Sequence, residues 1–204
     1  MGTVAIFGGT FNPIHVGHRE ILDNLSKMDF VEKILIIPSK IPPHKQVSFL
    51  APDIDRINMC RIIAERYSKA QVSTLELDRA GKSYSIDTLI TVKKLYPDRE
   101  IALTIGADMV VTFDEWKDYK SIIDQATLIT FSREGISVDG YNSALSKLKK
   151  TGANIIEIKS KITDVSSTKI REFLFEGRSA EGLLDEEIKQ YILENNVYEV
   201  YNES

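Results

Sequence analysis

The sequence predicts an α/β fold: a doubly wound parallel sheet with helices on both faces, followed by a small C-terminal helical region. Three observations predict it. Apolar runs alternate with helix-period segments along most of the chain. Several runs are near-continuous in Val, Ile and Leu, as strands covered on both faces should be. Strand–helix–strand repetition, in turn, gives parallel strands joined by right-handed crossovers. The predicted strands are 3–7, 33–37, 71–77, 100–105, 126–131 and 153–158. Segments 17–28, 53–69, 85–96, 108–116 and 141–150 carry apolar residues at spacings of three and four, which indicates helices. Residues 166–175 and 185–194 add two more, joined by Glu176-Gly177-Arg178-Ser179. No internal repeat or long linker divides the 204 residues, so 1–204 is read as one domain with 165–204 as its helical part.

Composition narrows the class. Hydrophobic residues make up 43% and charged residues 27%, ordinary values for a globular protein. A net charge of −4 argues against a nucleic-acid coat or a polybasic membrane anchor. No run of about 18 apolar residues is present to span a bilayer. The N-terminus enters a strand pattern without a basic region or cleavage site, so no signal peptide is expected. Cys60 is the one cysteine, which excludes an intrachain disulfide, and its helical setting predicts a packed thiol. The expected location is the cytoplasm; homo-oligomerisation is left open.

In a doubly wound sheet, ligands sit beyond the carboxyl ends of the strands at the topological switch. Residues 8–18 and 106–108 are therefore the first places to look. The first stretch, Gly8-Gly9-Thr10-Phe11-Asn12-Pro13-Ile14-His15-Val16-Gly17-His18, follows strand one and opens a helix. Its glycines allow backbone N–H groups close to a ligand, and the helix start adds partial positive charge. His15 and His18, three apart, can point both rings at one anion. It is neither G-x-G-x-x-G nor G-x-x-x-x-G-K-[ST].

A second candidate anion site is Val165-Ser166-Ser167-Thr168-Lys169-Ile170-Arg171. Ser and Thr cap helices whatever the function, but Arg171 adds a fork able to grip an anion at the same helix end. Pro42-Pro43-His44-Lys45 stiffens a loop after strand two, within which Lys45 can reach a triphosphate. Ser83-Tyr84-Ser85-Ile86-Asp87-Thr88-Leu89 opens the next helix, with Ser85 placed to cap it. Gly106-Ala107-Asp108 puts an acid where ribose hydroxyls are usually read. Trp116, the one tryptophan, has a core pattern with Val110, Val111 and Phe113.

Together these segments resemble the H-x-G-H nucleotidyltransferase superfamily and, within it, the nicotinate mononucleotide adenylyltransferases, in family order from residue 3 to about 198. The resemblance implies that His15, His18 and Arg171 are catalytic. It implies that ATP is held by Gly8, Gly9, Thr10, Phe11, Lys45, Gly106, Asp108, Arg133, Ser166, Ser167 and Thr168. Arg133 is equally readable as a surface residue. Nicotinate mononucleotide is assigned to Tyr84, Ser85, Trp116 and Lys117, with Trp116 against the pyridine ring and Lys117 either adding charge or facing solvent. No metal site on the protein is implied; Mg²⁺ is expected on the nucleotide phosphates. Asn12 stands where the family most often has Asp, and Ser85 where it usually has Thr. Glycerol-phosphate cytidylyltransferases and phosphopantetheine adenylyltransferases share the first motif but not the Ser83-Tyr84-Ser85 block with Trp116. A non-catalytic nucleotide sensor on the same scaffold would be favoured by loss of His15, His18 or Arg171, and all three are present.

Overall fold

The structure, a computed structural model, describes residues 2–40, 49–133, 139–160 and 162–198. Six strands, β1 (Thr3–Gly9), β2 (Val31–Pro38), β3 (Ala70–Val72), β4 (Glu100–Gly106), β5 (Thr127–Arg133) and β6 (Ile155–Ser160), form one sheet. Its order is β3-β2-β1-β4-β5-β6, and every pairing is parallel. The helices are α1 (Val16–Lys27), α2 (Asp53–Ala64), α3 (Ser85–Leu95), α4 (Ala107–Val111), α5 (Tyr119–Ile123), α6 (Tyr141–Lys150), α7 (Ser167–Phe175) and α8 (Glu186–Glu194). The doubly wound parallel sheet predicted from the sequence is the one observed.

Alternation along the strands decides which face each residue serves. Ala5 and Phe7 of β1, with Ile34 and Ile36 of β2, join a core under α1, α2, α7 and α8; Val4, Ile6, Leu35 and Ile37 join the opposite core under α3, α4 and α6. Ile170, Ile188, Ile192, Val197 and Tyr198 belong to the first of these cores, so the C-terminal helices pack on the sheet itself. Buried Cys60 lies in that core as well, and burial pushes its thiol well above the usual range, away from the reactive thiolate.

Three predicted elements differ. The strand predicted at 71–77 ends at Val72, because the Ser73 amide makes the last bond to the sheet (Ile36 O, 2.9 Å) and the chain then turns, Asp78 N reaching Thr74 O at 2.9 Å. Glu76, read as part of that strand, is instead buried against Thr88, whose hydroxyl donates to it at 2.6 Å. The helix predicted at 108–116 is α4 followed by a 3₁₀ turn, Phe113–Glu115, and α5 was not predicted at all. The helix predicted at 53–69 stops at Ala64. At the far end of α7 the chain reverses at Gly177, whose φ of 65° suits glycine, with Arg178 N bonded back to Phe173 O at 2.8 Å.

Strand order reverses between β1 and β4, which leave in opposite lateral directions to their next neighbours. Gly8 and Gly9 end β1 and Gly106 ends β4, so the topology brings these glycines to one crevice.

Candidate active site

A cavity of about 650 Å³ opens at this switch point. That is ample for a nucleotide-sized ligand by the usual range of binding clefts. Its walls come from four segments far apart in sequence: the β1–α1 loop, the turn into α3, the β4–α4 junction with Trp116, and the loop entering α7. A Cβ on Gly8 would meet nothing within 4 Å, so this glycine leaves open space on the cavity side. A Cβ on Gly9 would strike the Phe11 ring at 2.9 Å. Phe11 itself holds a left-handed backbone (φ 47°) and is buried, its ring edge-on to Phe7 and to His18.

His15 is the N-cap of α1 and His18 lies in its first turn. Their rings stack at 3.7 Å between centroids, and both line the cavity. The His15 amide donates to His18 Nδ1 at 3.2 Å. An Nδ1 that accepts carries no proton, so neutral His18 holds its proton on Nε2 and is a hydrogen-bond donor there. The glycine between them eases the packing: a Cβ on Gly17 would crowd the His15 ring and the Thr163 carbonyl at 3.3 Å. The loop bearing that carbonyl is gripped by Glu20, whose carboxylate accepts from Thr163 N at 2.6 Å and Thr163 Oγ1 at 2.7 Å.

The second motif meets the first on the cavity wall. Ser166 caps α7, accepting from Lys169 N at 3.2 Å, while Ser167 Oγ donates to the Pro13 carbonyl at 2.9 Å. Arg171 is buried, with Nη1 on the Asn12 carbonyl at 2.8 Å and Nη2 near Thr168 Oγ1 at 3.3 Å. Burial lowers its pKa from a very high ordinary value, and a guanidinium has ample margin to stay charged. Ser166, Ser167, Thr168 and Arg171 all line the cavity, beside the loop that leads into the histidines.

At the other end, Tyr84, Ser85, Trp116 and Lys117 line the same space. Ser85 is the first residue of α3 rather than its cap; the N-cap is Tyr84, without a side-chain capping bond. This corrects the sequence expectation and leaves the Ser85 hydroxyl outside the capping role. Trp116 is half-buried, tilted against Phe113 at 5.0 Å, so one face packs on the core while the residue still borders the cavity. Lys117 lies with Nζ 4.5 Å from the Tyr84 ring centroid and 3.9 Å from Asp87 Oδ2, half-exposed at the rim. Asp108 also lines the cavity, its carboxylate folded back over Gly106, where a Cβ would be 2.6 Å from Oδ1. Thr10 completes the first loop. Lys45 falls outside the described residues, and Arg133 ends β5 with its side chain outside them.

Two residues that hold the site together were not singled out from the sequence as doing so. Arg56 is fully buried and donates to Thr10 O (2.9 Å), Ser39 O (2.6 Å) and Ala51 O (3.3 Å), with Asp53 as its counter-ion. It occupies the same buried stripe of α2 as Met59, Cys60 and Ile63, and a cation on an apolar stripe is the signal that could have revealed it. Asn12, whose role the sequence left open, is the second. Arg56→Met would strand three carbonyls and should destabilise by about 3 kcal/mol, lowering Tm by roughly 6–12 °C for a chain of this size. Thermal melting checks this; a Tm within about 2 °C of wild type would mean the carbonyls find other donors.

A parallel sheet with a phosphate-suited cavity at its switch point, faced by two histidines on a helix start and an arginine on a second, defines a nucleotidyltransferase. The sequence pattern of the cytidylyltransferase-like family matches residues 6–173. A probable nicotinate-nucleotide adenylyltransferase of Clostridium tetani is 34% identical over 95% of this chain and 98% of its own. One from Halalkalibacterium halodurans is 34% identical over 100% and 94%. The solved nicotinic acid mononucleotide adenylyltransferase of Plasmodium falciparum, complexed with NaAD, shares the fold with a TM-score of 0.82, at 22% identity over 98% of both chains. The chain belongs to the nicotinate-nucleotide adenylyltransferase family of cytidylyltransferase-like enzymes.

No helix among the described residues is long and apolar enough to cross a membrane. Also among the described residues, no group of three or more His, Cys, Asp or Glu side chains could hold a metal ion.

Proposed function

We propose that this chain transfers the adenylyl group of ATP to nicotinate mononucleotide, yielding nicotinate adenine dinucleotide and pyrophosphate in the synthesis of NAD. The observation that carries this reading is the meeting, in one cavity, of the histidine pair, the Ser166-Ser167-Thr168 and Arg171 group, and the Tyr84–Ser85–Trp116–Lys117 wall. The names of its relatives agree with it.

The acceptor phosphate is already an anion and needs no strong base. An oxygen of it forms the new bond to the α-phosphorus as the bond to pyrophosphate breaks, and the electron pair leaves with the pyrophosphate. The protein's task is to align the two and to neutralise charge growing on the phosphate oxygens. His18, as an Nε2–H donor, and His15 beside it serve the α-phosphate. Arg171, Ser167 and Thr168 serve the β- and γ-phosphates, with Lys45 assigned to the same chain of phosphates. The backbone at Gly8, Gly9, Thr10 and Phe11 approaches the nucleotide, Gly106 and Asp108 read its ribose, and Arg133 borders the adenine. A divalent cation, Mg²⁺, enters with the ATP substrate on its phosphates. We read 1–204 as one nucleotidyltransferase domain acting in the cytoplasm.

Pyrophosphate release with nicotinate mononucleotide as acceptor tests the nucleotide. ATP should turn over and CTP should not; equal rates at matched concentration would refute the assignment. Arg171→Ala should weaken ATP by about 1.5–3 kcal/mol, the worth of a charge-assisted bond. The KM for ATP would then rise roughly ten- to a hundredfold.

A further inference from the structure

Asn12 lies in the first motif and on the cavity wall, yet it is 1% exposed and its side chain is taken up by protein partners. Its Nδ2 donates to the Phe49 carbonyl at 2.7 Å. Its Oδ1 accepts from Ala51 N at 3.1 Å and from the Tyr198 hydroxyl at 3.0 Å. Tyr198 is buried near the C-terminal end of the described chain, and burial pushes its pKa up, so the phenol keeps the proton it donates. One amide therefore ties the phosphate loop to residues 49–51 and to Tyr198.

Two consequences reach the cavity. The Asn12 carbonyl receives Arg171 Nη1 at 2.8 Å, so wherever this peptide sits, the guanidinium follows. The preceding residue, Phe11, is held in the left-handed region, which disfavours a side chain. Its ring is edge-on to His18 at 5.0 Å. A relaxed Asn12 would release both the arginine and the histidine from their present positions.

We propose that Asn12 is a positioning residue for the transfer step, acting through Arg171 and through Phe11 on His18, and that this chain needs an amide there. This rests on the adenylyl-transfer reading above. An aspartate can replace only half of the arrangement. Its carboxylate accepts from Ala51 N and Tyr198, but its second oxygen has no proton to offer the Phe49 carbonyl. The Arg56 and Arg171 guanidiniums nearby favour the negative charge, so Asn12→Asp should fold.

The experiment is a double-mutant cycle in kcat with ATP and nicotinate mononucleotide at saturation, using Asn12→Asp, Arg171→Ala and the pair, with melting curves for each. Asn12→Asp should lower kcat about tenfold, the scale of one lost buried hydrogen bond, with the KM for nicotinate mononucleotide within about twofold of wild type. In the Arg171→Ala background the same change should cost only about threefold, the part that acts through Phe11 on His18, because the arginine it also positions is gone. Tyr198→Phe, which removes one donor and keeps the ring, should give a smaller loss of kcat with the same dependence on Arg171. Wild-type kcat in Asn12→Asp and Tyr198→Phe, or losses that simply add to that of Arg171→Ala, overturn the proposal. An inactive wild-type protein would instead overturn the functional reading on which it rests.

Discussion

His18→Ala is expected to lower kcat by about a hundredfold or more, the usual scale for removing a preorganised donor from a charge-bearing transition state. The geometry gives the reason. His18 Nδ1 is occupied by the His15 amide at 3.2 Å, which commits the proton of the neutral ring to Nε2. Phe11 stands edge-on to one side of the ring and His15 stacks at 3.7 Å. The donor is thus aimed before the ligand arrives, and little reorganisation is left for the reaction itself. His15→Ala should cost a similar factor and also remove the ring that Gly17 makes room for. Steady-state kinetics with both substrates varied provides the check. A variant with near-normal kcat and only a raised KM for ATP would sink the transition-state role.

The second large effect concerns the acceptor. Nicotinate mononucleotide should be preferred over its nicotinamide counterpart by roughly tenfold to hundredfold, and by more if two contacts discriminate. The two differ only in carboxylate against amide on the ring, so stacking on Trp116 cannot tell them apart. Discrimination needs donors. The Ser85 hydroxyl at the first residue of α3, backbone amides of that helix start and Lys117 at the rim are the candidates. The NH₂ of the amide would face them without an acceptor, and an unmatched buried donor costs about 1–3 kcal/mol. Lys117 is half-exposed and lies close to Asp87, so its charge is screened and should contribute less than Ser85. Ser85→Ala should therefore narrow the gap between the acceptors, whereas Trp116→Ala should weaken both alike. Equal kcat/KM for the two mononucleotides in the wild-type enzyme would show this account of specificity to be wrong.

Much of this was legible in the sequence because it depends on short-range pattern. The near-continuous apolar runs of β1, β2 and β4 marked strands buried on both faces, and the glycines after β1 and β4 marked the ligand edge. Failures came where local pattern and tertiary contact disagree. Residues 73–77 look like strand, but pairing with β2 ends at Val72 and the chain turns away after Ser73. Ser85 looks like a cap by residue type, yet the chain enters α3 one residue earlier, at Tyr84.

The sequence by itself determined the fold class, the parallel sheet and the segments that carry the chemistry, since hydrophobic period and glycine placement act over a few residues. Only the tertiary structure decided how those segments are held. That Arg56 on α2 clamps carbonyls of Thr10, Ser39 and Ala51, that Glu20 grips Thr163, and that Asn12 binds Tyr198 are contacts between residues up to 186 positions apart. Buried polar groups must find partners wherever the packed chain supplies them. No spacing along the sequence records which partner that will be.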